Sequence, residues 1–365
     1  LETEDTQGSL VAVGTEALQS NNGGIQNTAV GHGAMYANVT GGSNTACGYL
    51  ALNNNTGDGN SAFGNDALRV NSSGEKNTAL GNEALEANTT ASFNTAVGHH
   101  ALTTNTTGTK NVAIGSHALE SATTVNENVA IGHASMDACT TGAENTAVGT
   151  DSLGALTTGD RNVAVGRQAG LSITTADRNH AFGYETLEAC TTGAQNVAVG
   201  YRALVANTTG GNNTAVGDNA GYANTTGQNN TYIGVEAGSY STGVTTGQRN
   251  TFVGNHTISA ANDANDQNVF GNNVTGIAAS FTFGTGASDT TCSNGGTTWS
   301  APSDERMKED IVTDTAGLSF INDLRPVTFK WKKEKDIPEK FNGYVKNSNK
   351  RFKTETIQHG FIAQE

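Results

Sequence analysis

The side chains with the clearest capacity for chemistry are four histidines that lie close together in the chain. His99, His100, His117 and His133 fall near the same corner of three successive sequence repeats, and imidazoles grouped in this way can bind a metal across strands or between subunits. No cysteine or paired carboxylate completes a ligand set in this pattern. We therefore predict a solvated column of polar side chains, with no metal and no cofactor.

Glycine-rich turns are frequent, but their sequences lack the features of ligand-binding loops. They do not carry the Lys-Ser/Thr of a phosphate-binding loop, and no calcium-type Gly-Gly-Xaa-Gly-Xaa-Asp repeat is present. The repeat columns also show no isolated pair of carboxylates, whereas glycoside hydrolysis needs two at roughly 5–10 Å. These observations favour a structural or binding protein over an enzyme that acts on an external substrate.

The element that must position these side chains is a repeat built on Asn-Xaa-Ala-Val-Gly, seen as NVAIG at Asn111–Gly115 and NTAVG at Asn145–Gly149. The closing glycines occur at positions 14, 31, 48, 64, 81, 98, 115, 132, 149, 166, 183, 200, 217, 234, 254 and 271. Fourteen of the fifteen intervals lie within one residue of 17, and the remaining one is 20. Self-similarity of this kind predicts an all-β solenoid of about sixteen 17-residue coils.

Each coil contains a short β-branched block that predicts a strand, followed by an Ala-Leu pair such as Ala118-Leu119 that predicts a second strand. A glycine about ten residues after the closing glycine, such as Gly108, indicates a tight corner. The leading asparagines, such as Asn111 and Asn128, would stack about 4.8 Å apart in successive coils. We predict an asparagine ladder; the alternative is that each amide caps its own turn.

Composition and charge divide the chain near Ala301. All three prolines lie after this point, and residues 1–302 carry 8 Lys+Arg against 23 Asp+Glu, a formal charge near −15. Such a surface repels nucleic acid, and the absence of an apolar run of about 20 residues argues against membrane insertion. We predict a repeat shaft at 1–273, a transition at 274–302 and a separate domain at 303–365. Because the chain begins at Leu1 and stops at Glu365 in mid-pattern, we expect it to be part of a longer protein.

The repeat also predicts an oligomer. Successive strand residues point to opposite faces, yet the central Ala and the following Val or Ile are both apolar. One of these faces can fill the interior, whereas the other needs a partner, for which we predict two further copies around a common axis. Sixteen coils at about 4.8 Å each would make a shaft of about 75–80 Å.

The repeat blocks resemble a known class of proteins. NTAVGHHAL at Asn94–Leu102 and NVAIGSHAL at Asn111–Leu119 look like the heads of trimeric autotransporter adhesins, whose repeat also occurs in bacteriophage fibres. The resemblance covers residues 1 to about 273, and this chain has longer corners than those heads. It implies a left-handed parallel β-roll and threefold symmetry.

The C-terminal residues carry three motifs in order: SDERMKEDI at Ser303–Ile311, GLSFINDLRPVTFKWK at Gly317–Lys332 and HGFIAQE at His359–Glu365. A helix over Leu318–Leu324 and a strand from Val327 to Trp331 are predicted, giving a small α+β segment. Without further context, Ser-Asp-Glu is a plausible helix N-cap. Together, however, the motifs closely resemble the C-terminal intramolecular chaperone of phage tailspikes and fibres, the endosialidase type.

This second resemblance implies that the domain drives trimerisation, templates folding and then cuts itself off. It places the scissile bond at Pro302–Ser303, with Ser303 as nucleophile and Lys308 as base. The chemistry is reasonable because a desolvated lysine can take the proton of a weakly nucleophilic hydroxyl.

We therefore predict a trimeric tail fibre of the phage virion that attaches to a host glycan or protein receptor and to other tail proteins. The varied residues after each closing glycine, including Tyr49, His99, Arg167, Tyr201 and Asp218, are candidates for receptor contact. The alternatives are a bacterial surface adhesin built from the same roll and a glycan-degrading tailspike.

Overall fold

The computed structural model describes residues 8–238, 245–286, 289–296, 327–329, 332–337, 345–350 and 358–360. The chain divides into two units, Leu1–Pro302 and Ser303–Glu365. The described part is all-β with almost no helix, as predicted, apart from a 3-10 turn at Glu334–Asp336. No helix in these ranges has the length and apolar character that a bilayer crossing needs.

One short strand recurs in each coil of the first unit. The strands are β1 (Val11–Val13), β2 (Thr28–Val30), β3 (Thr45–Cys47), β4 (Ser61–Phe63), β5 (Thr78–Leu80), β6 (Thr95–Val97), β7 (Val112–Ile114), β8 (Val129–Ile131), β9 (Thr146–Val148), β10 (Val163–Val165), β11 (His180–Phe182), β12 (Val197–Val199), β13 (Thr214–Val216), β14 (Thr231–Ile233), β15 (Thr251–Val253) and β16 (Asn268–Gly271). Each is parallel to the next, with equivalent residues opposite each other, as Ala113 is to Ala130. The predicted solenoid of about sixteen coils is confirmed.

The strands alternate between the interior and the outer surface. The central residue is fully buried, as in Ala96, Ala113 and Ala130, whereas the residues on either side are half-buried or exposed. The interior is completed by the Ala-Leu pair, of which Leu102 and Leu119 are fully buried. Stacking the same side chain at every coil makes one continuous apolar core from a repeat with few apolar residues.

The prediction of a second strand at the Ala-Leu pair is wrong. This segment is a run of turns in which the second and fourth residues after the closing glycine are left-handed, as in His100 (φ 57°) and Leu102 (φ 52°). A chain that alternates into the left-handed region cannot stay extended. The coils are still joined here, because the Leu102 N–H donates to the Ala118 carbonyl at 3.0 Å.

The leading asparagines form the predicted ladder. The Asn111 Oδ1 accepts the backbone N–H of Asn128 at 3.0 Å, while the Asn111 Nδ2 donates to the Asn94 Oδ1 at 3.0 Å and to the Val125 carbonyl at 2.8 Å. Each amide therefore joins two coils and also holds the corner of its own coil.

A second asparagine column follows the closing glycine by seven residues. The Asn88 Nδ2 donates to the Asn71 Oδ1 at 2.7 Å and to the Ala91 carbonyl, three residues on, at 3.1 Å. Each asparagine of this column bonds to the asparagine of the neighbouring coil and also caps its own turn. Laddering and turn capping, the two alternatives for the leading asparagines, therefore occur together here. Apolar residues replace the asparagines in the middle of the shaft: Ala122, Cys139, Leu156, Ile173 and Cys190.

Towards the C-terminal end of the solenoid, larger side chains enter the core. Tyr232 and Phe252 take the place of the strand alanine, and their rings stack at 5.7 Å. Gly221 and Gly238 stand in the neighbouring turns where other coils have leucine. A Cβ at Gly221 would lie 2.8 Å from the Tyr232 ring. The core volume is therefore conserved, with the larger ring occupying the space that the leucine leaves.

Further strands follow the sixteen repeated ones. β17 (Ser280–Gly284) continues the parallel sheet and pairs antiparallel with β18 (Thr290–Ser293). In the second unit, β19 (Val327–Phe329) confirms the start of the predicted strand and pairs antiparallel with β20 (Gln358–Gly360). Trp331 and the predicted helix lie outside the described residues.

Candidate functional site

The most extended candidate surface is a line of apolar side chains at the third position of the strands, here called the outer row. Its members are Val13, Val30, Cys47, Phe63, Leu80, Val97, Ile114, Ile131, Val148, Val165, Phe182, Val199, Val216, Ile233, Val253 and Phe270. All are half-buried or exposed, with Leu80 at 50% and Ile114 at 38%. An apolar line of this length on the surface of a protein indicates an interaction surface.

The residues that directly follow the closing glycines form a second, polar surface. The five residues predicted as receptor contacts, Tyr49, His99, Arg167, Tyr201 and Asp218, are all exposed. They lie at equivalent positions in different coils, so the solenoid brings this column of variable side chains onto one line. Such a column can change its chemistry without disturbing the core.

Aromatic and basic side chains are concentrated at one part of this surface, here called the aromatic patch: Arg167, Tyr184, Tyr201, Arg202 and Tyr222. The Tyr184 and Tyr201 rings stack at 5.5 Å with an interplanar angle of 7°. The Arg167 guanidinium lies 5.6 Å from the Tyr184 ring and donates to its hydroxyl at 2.9 Å. Tyrosine and arginine dominate the energetics of binding surfaces, so this patch is the strongest candidate for receptor contact.

A groove of about 290 Å³ adjoins the aromatic patch and is lined by Arg202, Asn219, Tyr222 and Glu236. The Arg202 guanidinium lies 5.1 Å from the Tyr222 ring and 3.2 Å from the Glu185 carboxylate. A hydrogen bond to that carboxylate raises the pKa of the Tyr184 hydroxyl. The groove offers hydrogen-bond donors and acceptors beside flat rings, a combination that suits a polyhydroxylated ligand.

The histidines are brought together by consecutive coils. The His99 and His100 rings stack at 3.9 Å, and His117 lies edge-on to both at 5.3 and 5.4 Å. The His133 ring is 6.0 Å from that of His117. The structure therefore forms a compact cluster from residues that the sequence placed only in the same region.

Two carboxylates that the sequence analysis had not associated with these histidines complete the cluster. The His100 Nε2 lies 2.9 Å from Glu83, while the His100 Nδ1 and the His117 Nδ1 lie 3.2 and 2.9 Å from the two oxygens of Glu120. Burial raises the pKa of the Glu120 carboxyl, but the hydrogen bonds from His100 and His117 outweigh it and hold the pKa below its usual value. Glu120 is therefore a carboxylate shared by two imidazoles.

The predicted self-cleavage residues, Ser303 and Lys308, lie outside the described residues. The Pro302–Ser303 bond coincides with the division between the two units of the chain. The sequence reasoning also missed Tyr184 and Arg202. The spacing of 17 residues between Tyr184 and Tyr201 was the signal that could have identified their stacking.

Comparison with known proteins identifies the C-terminal unit. Residues 303–365 match the family model described as "Chaperone of endosialidase". Neither the curated proteins nor the solved structures give a match to the chain. The chain thus combines a β-solenoid with a C-terminal endosialidase chaperone domain, and a domain of this type implies self-association. Together these two parts fit a protein of the tail-fibre or tailspike type.

Proposed function

We propose that this chain forms a trimeric tail fibre of a phage virion, which attaches to the host surface and is assembled by its own C-terminal chaperone. The observation that carries the proposal is the outer row, an uncovered apolar line on a solenoid whose chain continues into a chaperone domain. The two parts agree, because the apolar row of the solenoid needs partner chains and the chaperone domain implies self-association.

The partner that best fits the outer row is the same chain. The row repeats at the spacing of stacked strands, about 4.8 Å, and a partner that binds along it must have the same spacing. Further copies of this chain have that spacing because they contain the same repeat. Burying apolar surface stabilises the assembly by about 25 cal/mol per Å², so covering even part of each side chain over many coils gives a large total.

In this proposal the chain matures by a single self-cleavage at the Pro302–Ser303 bond. The Ser303 hydroxyl oxygen attacks the carbonyl carbon of Pro302 as Lys308 takes the hydroxyl proton. The Pro302–Ser303 amide bond then breaks, its nitrogen takes up that proton, and an ester joins Pro302 to the serine oxygen. Water hydrolyses this ester, leaving a carboxylate at Pro302 and a free amine at Ser303. The lysine must be neutral to act as base, which desolvation favours.

Host attachment is assigned to the aromatic patch and its groove, with a cell-surface glycan or protein as receptor. Tyrosine and arginine supply rigid contact area and directional donors. Three copies of the patch on one fibre would bind avidly even where each contact is weak.

The complete gene, expressed in wild-type, Ser303→Ala and Lys308→Ala forms, tests the maturation step on a denaturing gel. We expect loss of a C-terminal fragment in the wild type and an intact chain in both variants. An intact wild-type chain, or equal cleavage in all three, contradicts self-cleavage.

The assembly is tested by size-exclusion chromatography with light scattering. We expect three chains per particle for the wild type and a smaller particle for the double variant Ile114→Glu, Ile131→Glu, because charge cannot be buried in an apolar interface. The matched control is Thr107→Glu, Thr124→Glu, which adds the same charge at exposed corners. A wild type that is a folded single chain overturns the trimer, whatever the cleavage result.

A further inference from the structure

A cluster of imidazoles and carboxylates crosses consecutive coils on the side of the solenoid, apart from the outer row and the aromatic patch. One potential ligand atom from each of His99, His100 and His117 lies within 4.8 Å of the other two. His100 and His117 occupy the same left-handed turn position in adjacent coils, with φ of 57° and 60°. The repeat itself therefore fixes their backbones side by side.

Glu120 adds an oxygen donor at the centre of this group. Its two carboxylate oxygens face the Nδ1 atoms of His100 and His117 at 3.2 and 2.9 Å. Each of these contacts is a hydrogen bond only if the nitrogen carries a proton. Two ring nitrogens thus face the two oxygens of one carboxylate, and a cation can bind between nitrogen and oxygen donors placed in this way.

We propose that His100, His117 and Glu120 bind a divalent transition-metal ion, with His99 as a further nitrogen donor. Imidazole nitrogen and carboxylate oxygen suit ions of the Zn²⁺, Co²⁺ and Ni²⁺ type, whereas Ca²⁺ and Mg²⁺ prefer oxygen donors alone. Metal–nitrogen bonds of about 2.0–2.1 Å place ligand nitrogens about 3.3 Å apart. The side chains reach this spacing by rotation, because His99 is exposed and His100 and His117 are half-buried.

Glu83 supports this arrangement from the preceding coil. It lies 2.9 Å from the His100 Nε2, the ring nitrogen opposite the one that faces Glu120. A carboxylate in this position fixes the tautomer that presents Nδ1 to the metal. One ion therefore joins two consecutive coils directly and a third through Glu83, and it acts as a lateral clamp on the shaft.

Isothermal titration calorimetry of the full chain with ZnCl₂ tests the site, and Co²⁺ absorption in the visible range provides a second readout. We expect one ion for each chain, with at least tenfold weaker binding for His117→Asn and for Glu120→Gln. The side chains involved are partly solvent-exposed, so both variants should fold, which far-ultraviolet circular dichroism checks.

The matched control is His256→Asn. His256 also contacts a carboxylate, Glu236, at 3.2 Å, but it is not part of the cluster of three histidines. Unchanged Zn²⁺ affinity in this variant supports the proposal. Absence of Zn²⁺ binding by the wild type, or equal loss in His256→Asn and His117→Asn, overturns it and indicates adventitious binding to surface imidazoles.

Discussion

The backbone N–H of Asn128 donates a 3.0 Å hydrogen bond to the side-chain oxygen of Asn111, seventeen residues earlier. This contact is repeated along the solenoid, and it ties the start of each strand to the start of the strand before it. Both residues are fully buried, so water cannot replace the bond. The ladder is therefore a structural necessity, and its removal at one coil should be measurable.

Asn111→Ala should lower the free energy of unfolding by about 3 kcal/mol, because buried groups left without partners cost about 1–3 kcal/mol each. The groups affected are the Asn128 N–H and the Val125 carbonyl. Asn111→Asp keeps the acceptor and loses only the donor, but it brings a carboxylate towards two oxygens, so a similar loss is expected.

Denaturant unfolding measures both variants, with Asn126→Ala as the control. Asn126 is exposed and accepts a bond from the Thr109 N–H at 2.9 Å, so its loss should cost under about 1 kcal/mol. Equal effects at Asn111 and Asn126 would show that the ladder contributes nothing beyond ordinary surface bonds.

Gly221 and Tyr232 should be energetically coupled. Tyr232→Ala empties buried volume and should cost about 3–5 kcal/mol, while Gly221→Leu should be destabilising because its side chain meets the ring. The double variant restores the leucine and alanine of other coils, such as Leu204 and Ala198. We expect it to recover about 1–3 kcal/mol relative to the sum of the single changes.

A double-mutant cycle, measured by denaturant unfolding, gives the coupling. Leu at position 221 should tolerate the left-handed turn, because Leu204 adopts φ of 51° in the equivalent place. Strictly additive effects would mean that the two positions do not share one packing volume.

The buried thiols should be unreactive in the folded protein. Burial raises the pKa of Cys139 and of Cys190 to about 11, so the reactive thiolate is scarce at pH 7.5 and the sulfur is also shielded. Iodoacetamide should label neither residue until denaturant is added, as peptide mass spectrometry can show.

Cys47 provides the internal comparison because it is exposed and belongs to the outer row. It should be labelled in the Ile114→Glu, Ile131→Glu variant and protected in the assembled wild type. Rapid labelling of Cys139 in the native protein would contradict the buried position of that column.

Asp137→Asn should stabilise the protein at neutral pH. Burial raises the pKa of the Asp137 carboxyl, although backbone hydrogen bonds partly offset the effect. The folded state therefore holds this proton more tightly than the unfolded chain does. The charged form of Asp137 lowers the free energy of unfolding. This loss grows as the pH rises above about 3.9, the pKa of an aspartate in the unfolded chain.

The difference in unfolding free energy between Asp137→Asn and the wild type should accordingly be present at pH 7 and fade as the pH falls below about 4. Thermal or denaturant unfolding at a series of pH values measures it. A stabilisation by Asp137→Asn that stays constant across this pH range would indicate improved hydrogen bonding instead of removal of a buried charge.

The sequence by itself determined the coil length, the position of the strand in each coil and the asparagine ladder. These features share one physical cause. A fixed interval brings residues such as Asn94 and Asn111 to equivalent places in stacked coils. Residue types that recur at this interval in the sequence therefore form continuous polar or apolar columns in the structure. The apolar residue on the outer strand face followed from the alternation of strand side chains.

Only the tertiary structure decided how the chain travels between strands. Leucine disfavours positive φ, so the residue types of Ala101-Leu102 do not predict left-handed turns. Burial of the leucine side chain and the hydrogen bonds to the next coil stabilise this conformation. Likewise, His100 and Glu120 are separated by twenty residues, not seventeen. Their contact depends on side chains leaning across coils, which a count of repeat positions cannot reveal.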